Sequence, residues 1–401
     1  MPLNVPSHRA YASEVDDFDC DVAIVGAGPV GLFAGVMLAQ RGISVRVLEA
    51  KTAPSQHSRA IGVHPPALEH LAHLGVATAF CERGLRVQKG VALTYAAKHL
   101  GTLDFGRCPA PYNFVLAIRQ DDNEAILREA LCQLDTGAVC WGASVTGVEQ
   151  DAKGVVLELD HSNTQRTLRS RYVLACDGKR SFVREALGIS FHGHAYSHRY
   201  VMGDFTDNTD LGEQAAILLT DAGLVESFPL PAGVRRWVVQ RQPHDSYVPL
   251  ETDNITPVDL AAAVAQRSGY HPEVSTNSMF STFGVERYIA SRFTQGRVVL
   301  IGDAAHVISP IGGQGMNLGW LGAWKVGEVL EHALTHHTSA NWHAYEKQQR
   351  NRANRAAKRA EFNMAATQVT PWQPVRNALV RLVLHTPARD IAAKTFSMRG
   401  L

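Results

Sequence analysis

The chain has 401 residues, more than one ordinary domain and enough for two or three, and its 45% apolar content can fill a packed core. Lys and Arg total 39 against 38 Asp and Glu, a balance that offers nothing to nucleic acid or to an anionic membrane surface. Six cysteines without CxxC spacing argue against a metal site and a disulfide framework, and they suit a reducing cytosol.

Residues 1–18 read as a polar leader without the apolar stretch of a signal peptide. No apolar run approaches the length of a membrane span, so the expected setting is soluble and cytoplasmic. Asp21–Val25 (DVAIV) then reads as a buried strand that enters Gly26-Ala27-Gly28-Pro29-Val30-Gly31, a GxGxxG turn. A helix over Leu32–Arg41 and a strand over Ser44–Leu48 complete a βαβ unit, closed by Glu49. Such a turn lets a pyrophosphate approach the backbone at the helix start, and an acid at Glu49 suits a ribose. The unit points to a dinucleotide without separating FAD from NAD.

Arg59 follows in a loop that can return to the phosphates, with an ordinary solvated arginine as the plain alternative. A short helix is expected over Ala67–Leu74. Segment 85–111 has the alternation, Gly and Pro of strands and turns in another domain. Arg119 precedes a helix over Asp121–Leu134 whose acidic first turn suits a helix amino end. Val145–Gln150, Val155–Leu159 and Thr167–Ala175 read as strands. The last leads to CDGKRSFVR at 176–184, with Asp177 at a strand end.

From 190 to 288 the texture changes to alternating runs, among them Tyr200–Phe205, Ala216–Leu219 and Arg236–Gln240, with one helix near Pro257–Arg267. An antiparallel sheet lying as a lid over the nucleotide domain is the expected form. Val298–Ile301 is a buried parallel strand by composition. It ends in Gly302 and Asp303, and a loop with Pro310, Gly312, Gly313 and Gly315 leads into a helix from Met316 to about His332. A helix start beside a glycine-rich loop presents free N–H groups and the positive end of its dipole, a setting for a phosphate or for a ring that gains negative charge. After Ala333 the chain is expected to be helical, with breaks near Pro371, Pro374 and Pro387.

Taken together, GAGPVG at 26–31, CDGKRSFVR at 176–184 and GDAAHVISPIGGQGMN at 302–317 resemble the class A flavoprotein monooxygenases, the aromatic hydroxylases typified by para-hydroxybenzoate hydroxylase. The resemblance implies an α/β fold: a Rossmann-type FAD-binding domain, an inserted antiparallel-sheet substrate domain and a C-terminal helical segment. The expected FAD-binding domain comprises 19–84, 112–189 and 289–332, the substrate domain 85–111 and 190–288, and the terminal helices 333–401. Carried onto this chain, Gly26, Gly28, Pro29 and Gly31 would hold the FAD pyrophosphate, with Glu49 on the adenosine ribose. Arg59 and Arg119 would contact FAD, and Asp177 would serve FAD and NAD(P)H. Gly302 and Asp303 would meet the ribityl chain, and Gly315, Met316 and Asn317 would offer N–H groups to the flavin pyrimidine. Pro310 would lie beside the flavin ring near the substrate.

The implied activity is NAD(P)H-dependent hydroxylation or epoxidation of an aromatic or polycyclic molecule by O2, through a flavin C4a-hydroperoxide, in a monomer or homodimer. Flavin-dependent reduction of a C=C bond on the same scaffold is the alternative. A halogenase would show WxWxIP, whereas Trp320 and Trp324 are two residues too far apart and no Ile-Pro follows. Family members commonly carry Asp in the helix where this chain has Gly322, a departure that bears on helix packing. Tyr196, Met202, Phe228 and Trp237 are candidate pocket residues, although sheet core is an equal use for them. His192, His194, His198 and His306 are candidate acid–base groups; His306 is the most interesting because it lies in the GD loop, although a helix-capping or structural role is the weightier reading there.

Overall fold

The computed structural model describes residues 18–54, 60–95, 98–243, 245–250, 254–367, 369 and 372–400. Nearly all of the expected polar leader therefore lies outside the described residues, as does Arg59. The strand Cys20–Val25, central in an eight-stranded sheet and packed against helix Pro29–Gln40, is buried at five of its six positions. It pairs in parallel with Val45–Glu49 on one side and Thr164–Ala175 on the other, Val22 standing opposite both Val45 and Tyr172. Val298–Leu300 adds in parallel beyond Thr164–Ala175, and Val139–Trp141 beyond Val45–Glu49. Ala143–Gln150 and Val155–His161 extend the sheet as an antiparallel meander. Because the principal strands run the same way, Val25, Glu49, Ala175 and Leu300 all end on one edge. The motif loops converge there.

Helix Pro29–Gln40 is buried along most of its length. Glycines let its neighbours come close. Gly35 faces Leu131 of helix Gln120–Leu134, and a Cβ on Gly327 of helix Gln314–Thr335 would stand 2.0 Å from Met37 Sδ.

The second layer is also an eight-stranded sheet, running in space from His306–Val307 through Met279–Ala290, Phe191–Thr206, Val234–Gln240, Gly223–Leu230 and Ala215–Thr220 to Lys89–Leu93 and His99–Asp104. Leu85–Val87 does not join it but pairs with Val115–Ala117 in a small separate sheet. The period of two sorts the large sheet into two apolar faces. Tyr200, Met202, Leu224 and Val238 lie on an inner face against Ile311 and Met364. Val201, Phe205, Trp237 and Val239 lie on the outer face. Helix Pro257–Ser268 covers that outer face with Leu260, Ala263 and Val264, and it starts with a capping box between Thr256 and Asp259. The large sheet is thus buried on both sides.

Helices Trp342–Thr367, Gln373–His385 and Ala388–Phe396 close the chain. The second leans on strand His99–Asp104, where Leu384 fills the space left by Gly101, and leaves Val375, Leu379, Leu382 and Val383 exposed. Pro374 falls in its first turn and Pro387 caps the third, as expected, while Pro371 lies outside the described residues. Among the described residues no helix is long and apolar enough to cross a membrane.

Candidate cofactor site

At the shared strand edge each glycine of the first turn has a separate cause. Gly26 has φ +102°, and a Cβ there would meet the Cys176 carbonyl at 2.5 Å, so the ends of two parallel strands touch through it. A Cβ on Gly31 would lie 1.9 Å from the Gly26 carbonyl, so only glycine lets the helix start against the turn. Around Gly28 the space is open, and Gly28 is the cap residue of helix Pro29–Gln40 with no side chain on its first N–H groups. Glu49 braces this loop: its Oε2 accepts the Ala27 N–H at 2.8 Å and its Oε1 accepts the Lys51 N–H at 3.1 Å.

The second motif closes from below. Asp177 Oδ2 accepts the Val183 N–H at 3.1 Å, while Oδ1 is buried with no partner among the described residues. Desolvation pushes its carboxyl above the usual range. Arg184, 4% exposed, lies over the Phe191 ring and donates to the Ala304 carbonyl at 3.2 Å. It ties the second motif to the third, a role the sequence did not assign to it.

In the third motif Gly302 has φ +63° and packs against Val30 of the first helix. Asp303 beside it is exposed, yet desolvation by the surrounding protein raises its carboxyl to about 6, with Lys179 acting in the opposite sense. Pro310 is exposed and its carbonyl accepts the Gly313 N–H at 2.8 Å. Gly313, with φ +64°, caps helix Gln314–Thr335 without any side-chain hydrogen bond, leaving that amino end uncapped as well. A Cβ on Gly315 would make ordinary contact with Ile308 Cγ1 at 3.9 Å; Met316 Sδ accepts from Asn123 Nδ2 at 3.2 Å.

Asn317 does more than expected. Its Oδ1 accepts the His64 N–H at 2.8 Å, and its Nδ2 donates to Gly62 at 2.9 Å and to Gly313 at 2.8 Å. The His64 ring nitrogen Nε2 stands 3.0 Å from the Gly312 carbonyl, so His64 and Asn317 together fix the glycine loop. Trp320 Nε1 donates to the Pro29 carbonyl at 2.9 Å, locking the two uncapped helix starts to each other. Arg119 caps helix Gln120–Leu134 at the rim, with its guanidinium 3.3 Å from Asp121.

His306 lies in the core, in keeping with the structural one of its two readings. It is 5% exposed, tilts against Phe293, and borders a small gap with Gly322, Tyr345 and Gln349. Burial lowers its imidazole to about 4, and Nδ1 has no partner among the described residues, which fits a core residue and not an acid–base group facing a substrate. His192 and His194 line a cleft of about 350 Å³ at the edge of the large sheet, with Arg287 and Arg350. His198 is half-buried and its imidazole is lowered by desolvation. Of the four pocket candidates, Tyr196, Met202 and Phe228 belong to the inner face, whereas Trp237 packs outward against Tyr270.

These residues fit a flavin dinucleotide. Two uncapped helix starts, an open cradle at Gly28 that a Cβ would begin to fill, and carboxylates at three of the four strand ends supply donors for phosphates and acceptors for hydroxyls.

A family model described as FAD binding domain matches residues 19–360. Rifampicin monooxygenase of Streptomyces venezuelae is 33% identical over 314 residues, 77% of this chain and 63% of that protein. The chain thus spans less than two thirds of that relative's length. The structure of p-nitrophenol 4-monooxygenase from Pseudomonas putida superposes with a TM-score of 0.85 at 23% identity, over 95% of this chain and 98% of the other, which establishes the same fold. Anhydrotetracycline hydroxylase from Streptomyces rimosus superposes with a TM-score of 0.77 at 27% identity, over 95% of this chain and 76% of the other.

Proposed function

The chain belongs to the FAD-binding domain family, and on that premise we propose that it is an FAD-dependent monooxygenase of an aromatic or polycyclic small molecule. The observation that carries the reading is the meeting of Asp303 and the uncapped start at Gly313 with the apolar inner face of the large sheet at Ile311. A redox ring held by the first would be roofed by the second. In balance, the substrate C–H, O2, NADPH or NADH and one proton become the hydroxylated substrate, water and oxidised nicotinamide. When bound, FAD supplies the route for electrons from nicotinamide to dioxygen.

The protein's own part is placement, charge and exclusion of water. Gly26, Gly28 and Gly31 give the pyrophosphate its approach to the first helix. Glu49 keeps lone pairs for a ribose beside those it spends on Ala27 and Lys51. Asp303 would accept from the ribityl hydroxyls, and their donation would relieve its raised pKa. The N–H groups of Gly315 and Met316, at the positive end of their helix, favour negative charge on the pyrimidine side of the ring. Asn317 holds that loop through its side chain, and Pro310 presents an N–H-free surface to the substrate side. Arg119 and Asp177 serve the rim and floor. The inner face of the sheet keeps water from the ring.

The absorption spectrum of purified protein, followed by NADPH and NADH oxidation with coupled oxygen uptake, tests the reading. A yellow protein whose oxidation accelerates with an aromatic ligand, with oxygen entering the product, is the expected result. A yellow protein that hydrogenates ligands without consuming oxygen would point to a C=C reductase. A protein that cannot be reconstituted with FAD would overturn the assignment.

A further inference from the structure

Glu226 is an acid to which the packing gives no partner. It stands midway along strand Gly223–Leu230, opposite Val238, which in turn stands opposite Met202. Alternation places it on the inner face with Tyr200, Leu224 and Phe228, the face that closes on Ile311 beside Pro310. It is 6% exposed and makes no hydrogen bond or ion pair among the described residues. The other acid of that face behaves differently: Asp204 is held by Arg236 through bonds of 2.6 and 2.8 Å. Tyr200, stacked on Phe283 and 1% exposed, also keeps a hydroxyl without a partner among the described residues. The charge of Glu226 reaches that phenol and adds to the desolvation that raises its pKa.

An unpartnered carboxyl inside an apolar face is costly, because it gives up hydration and receives no donor in exchange. A fold has no structural reason to carry that cost. Functional sites do carry it, because the missing partner arrives with the ligand.

We propose that Glu226, with Tyr200 beside it, is the hydrogen-bonding anchor for a hydroxyl group on the substrate ring, and so selects phenolic or enolic molecules over their ethers. The substrate O–H donates to the Glu226 carboxylate, and the Tyr200 hydroxyl can donate to the same substrate oxygen. Burial raises the Glu226 carboxyl to about 7, so its ionised, accepting form is present at and above neutral pH. A site built around one such bond rejects a ligand that lacks the donor, because a methyl group then faces a buried charge. The inference rests on the monooxygenase reading for the identity of the inner face as the substrate wall.

The test titrates FAD-loaded wild type, Glu226→Gln and Glu226→Leu with two pairs of probes, following flavin absorbance and fluorescence. The pairs are 4-nitrophenol with 4-nitroanisole, and 1-hydroxyanthraquinone with 1-methoxyanthraquinone. Wild type should favour the hydroxyl form of at least one pair by about tenfold or more. Glu226→Leu should bring the pair within about twofold, with Glu226→Gln between. FAD content should be unchanged, and the Tm of Glu226→Leu should equal or exceed that of wild type, because no native partner is lost.

A wild type that binds ethers as well as phenols, or binds neither, overturns the proposal. So does a Leu variant that keeps the preference, or one whose Tm falls by several degrees, which would make Glu226 structural. Oxygen uptake with the same ligands separates the two levels. A Glu226-dependent preference without oxygen consumption would refute the monooxygenase reading and leave the anchor standing; oxygen consumption with an unaltered preference in the Leu variant would refute the anchor alone.

Discussion

Asp303 combines an exposed position with a carboxyl already raised by its surroundings, so it gains from a hydroxyl donor and loses little structure when removed. Asp303→Ala is therefore expected to fold like wild type and to be purified with little or no flavin; stoichiometric FAD in that variant would end the ribityl assignment. Gly322 makes the opposite case. A Cβ there would find Ile301 and Gln349 at 3.7 Å, ordinary contact, at the edge of the gap by His306. Gly322→Ala should stabilise the protein by about 1 kcal/mol, the usual difference in a helix interior, read as a higher urea midpoint. A lowered midpoint would show that the gap has an occupant. Asp303 was legible because a strand end followed by GD announces it. His64, Arg184 and Trp320 were not. Their hydrogen bonds join residues 248, 120 and 291 positions apart, and no local pattern marks such pairs.

Among the elements, the start of helix Gln314–Thr335 depends on a single side chain, since Asn317 satisfies three backbone groups while 1% exposed. Asn317→Ala should cost about 2–4 kcal/mol by leaving buried backbone groups unpaired, and should weaken flavin retention because the glycine loop is freed. Denaturant unfolding with and without added FAD measures both effects; an unchanged midpoint would remove Asn317 from this role. Helices and strands were largely readable from their periods, with ends moved by a few residues: helix Pro29–Gln40 begins earlier than the expected Leu32, and strand Phe191–Thr206 far outruns Tyr200–Phe205. Trp237 shows where periodicity fails. Strand Val234–Gln240 is buried on both faces, so its pattern does not say which face meets the cofactor layer, and only helix Pro257–Ser268 reveals that Trp237 looks the other way.

At the scale of the whole molecule, acid titrates the core against itself. Buried His64 and His306 are both lowered to about 4, so below their unfolded value of 6.5 the unfolded chain binds protons that the folded chain refuses. Stability from these groups is intact above pH 6.5 and is lost as the pH falls toward 4. Asp303 and Glu226, raised to about 6 and about 7, act with the opposite sign and are common to any pair of variants that keeps them. Between pH 7.5 and pH 5, wild type should therefore lose about 2 kcal/mol more unfolding free energy than His306→Leu; equal losses would show that His306 titrates normally. The two-layer plan was legible from the change of texture after 190, but the interleaving of the layers was not, since strand partners are chosen by space and not by order. That interleaving has a consequence in time. The central strand Cys20–Val25 takes one neighbour from Thr164–Ala175, and that neighbour takes its own from Val298–Leu300. At synthesis rates of about 5–20 residues per second, the first strand waits roughly ten to thirty seconds for its second partner. A nascent chain halted before the third motif would carry a bare apolar strand edge, ready to aggregate and unable to load its cofactor.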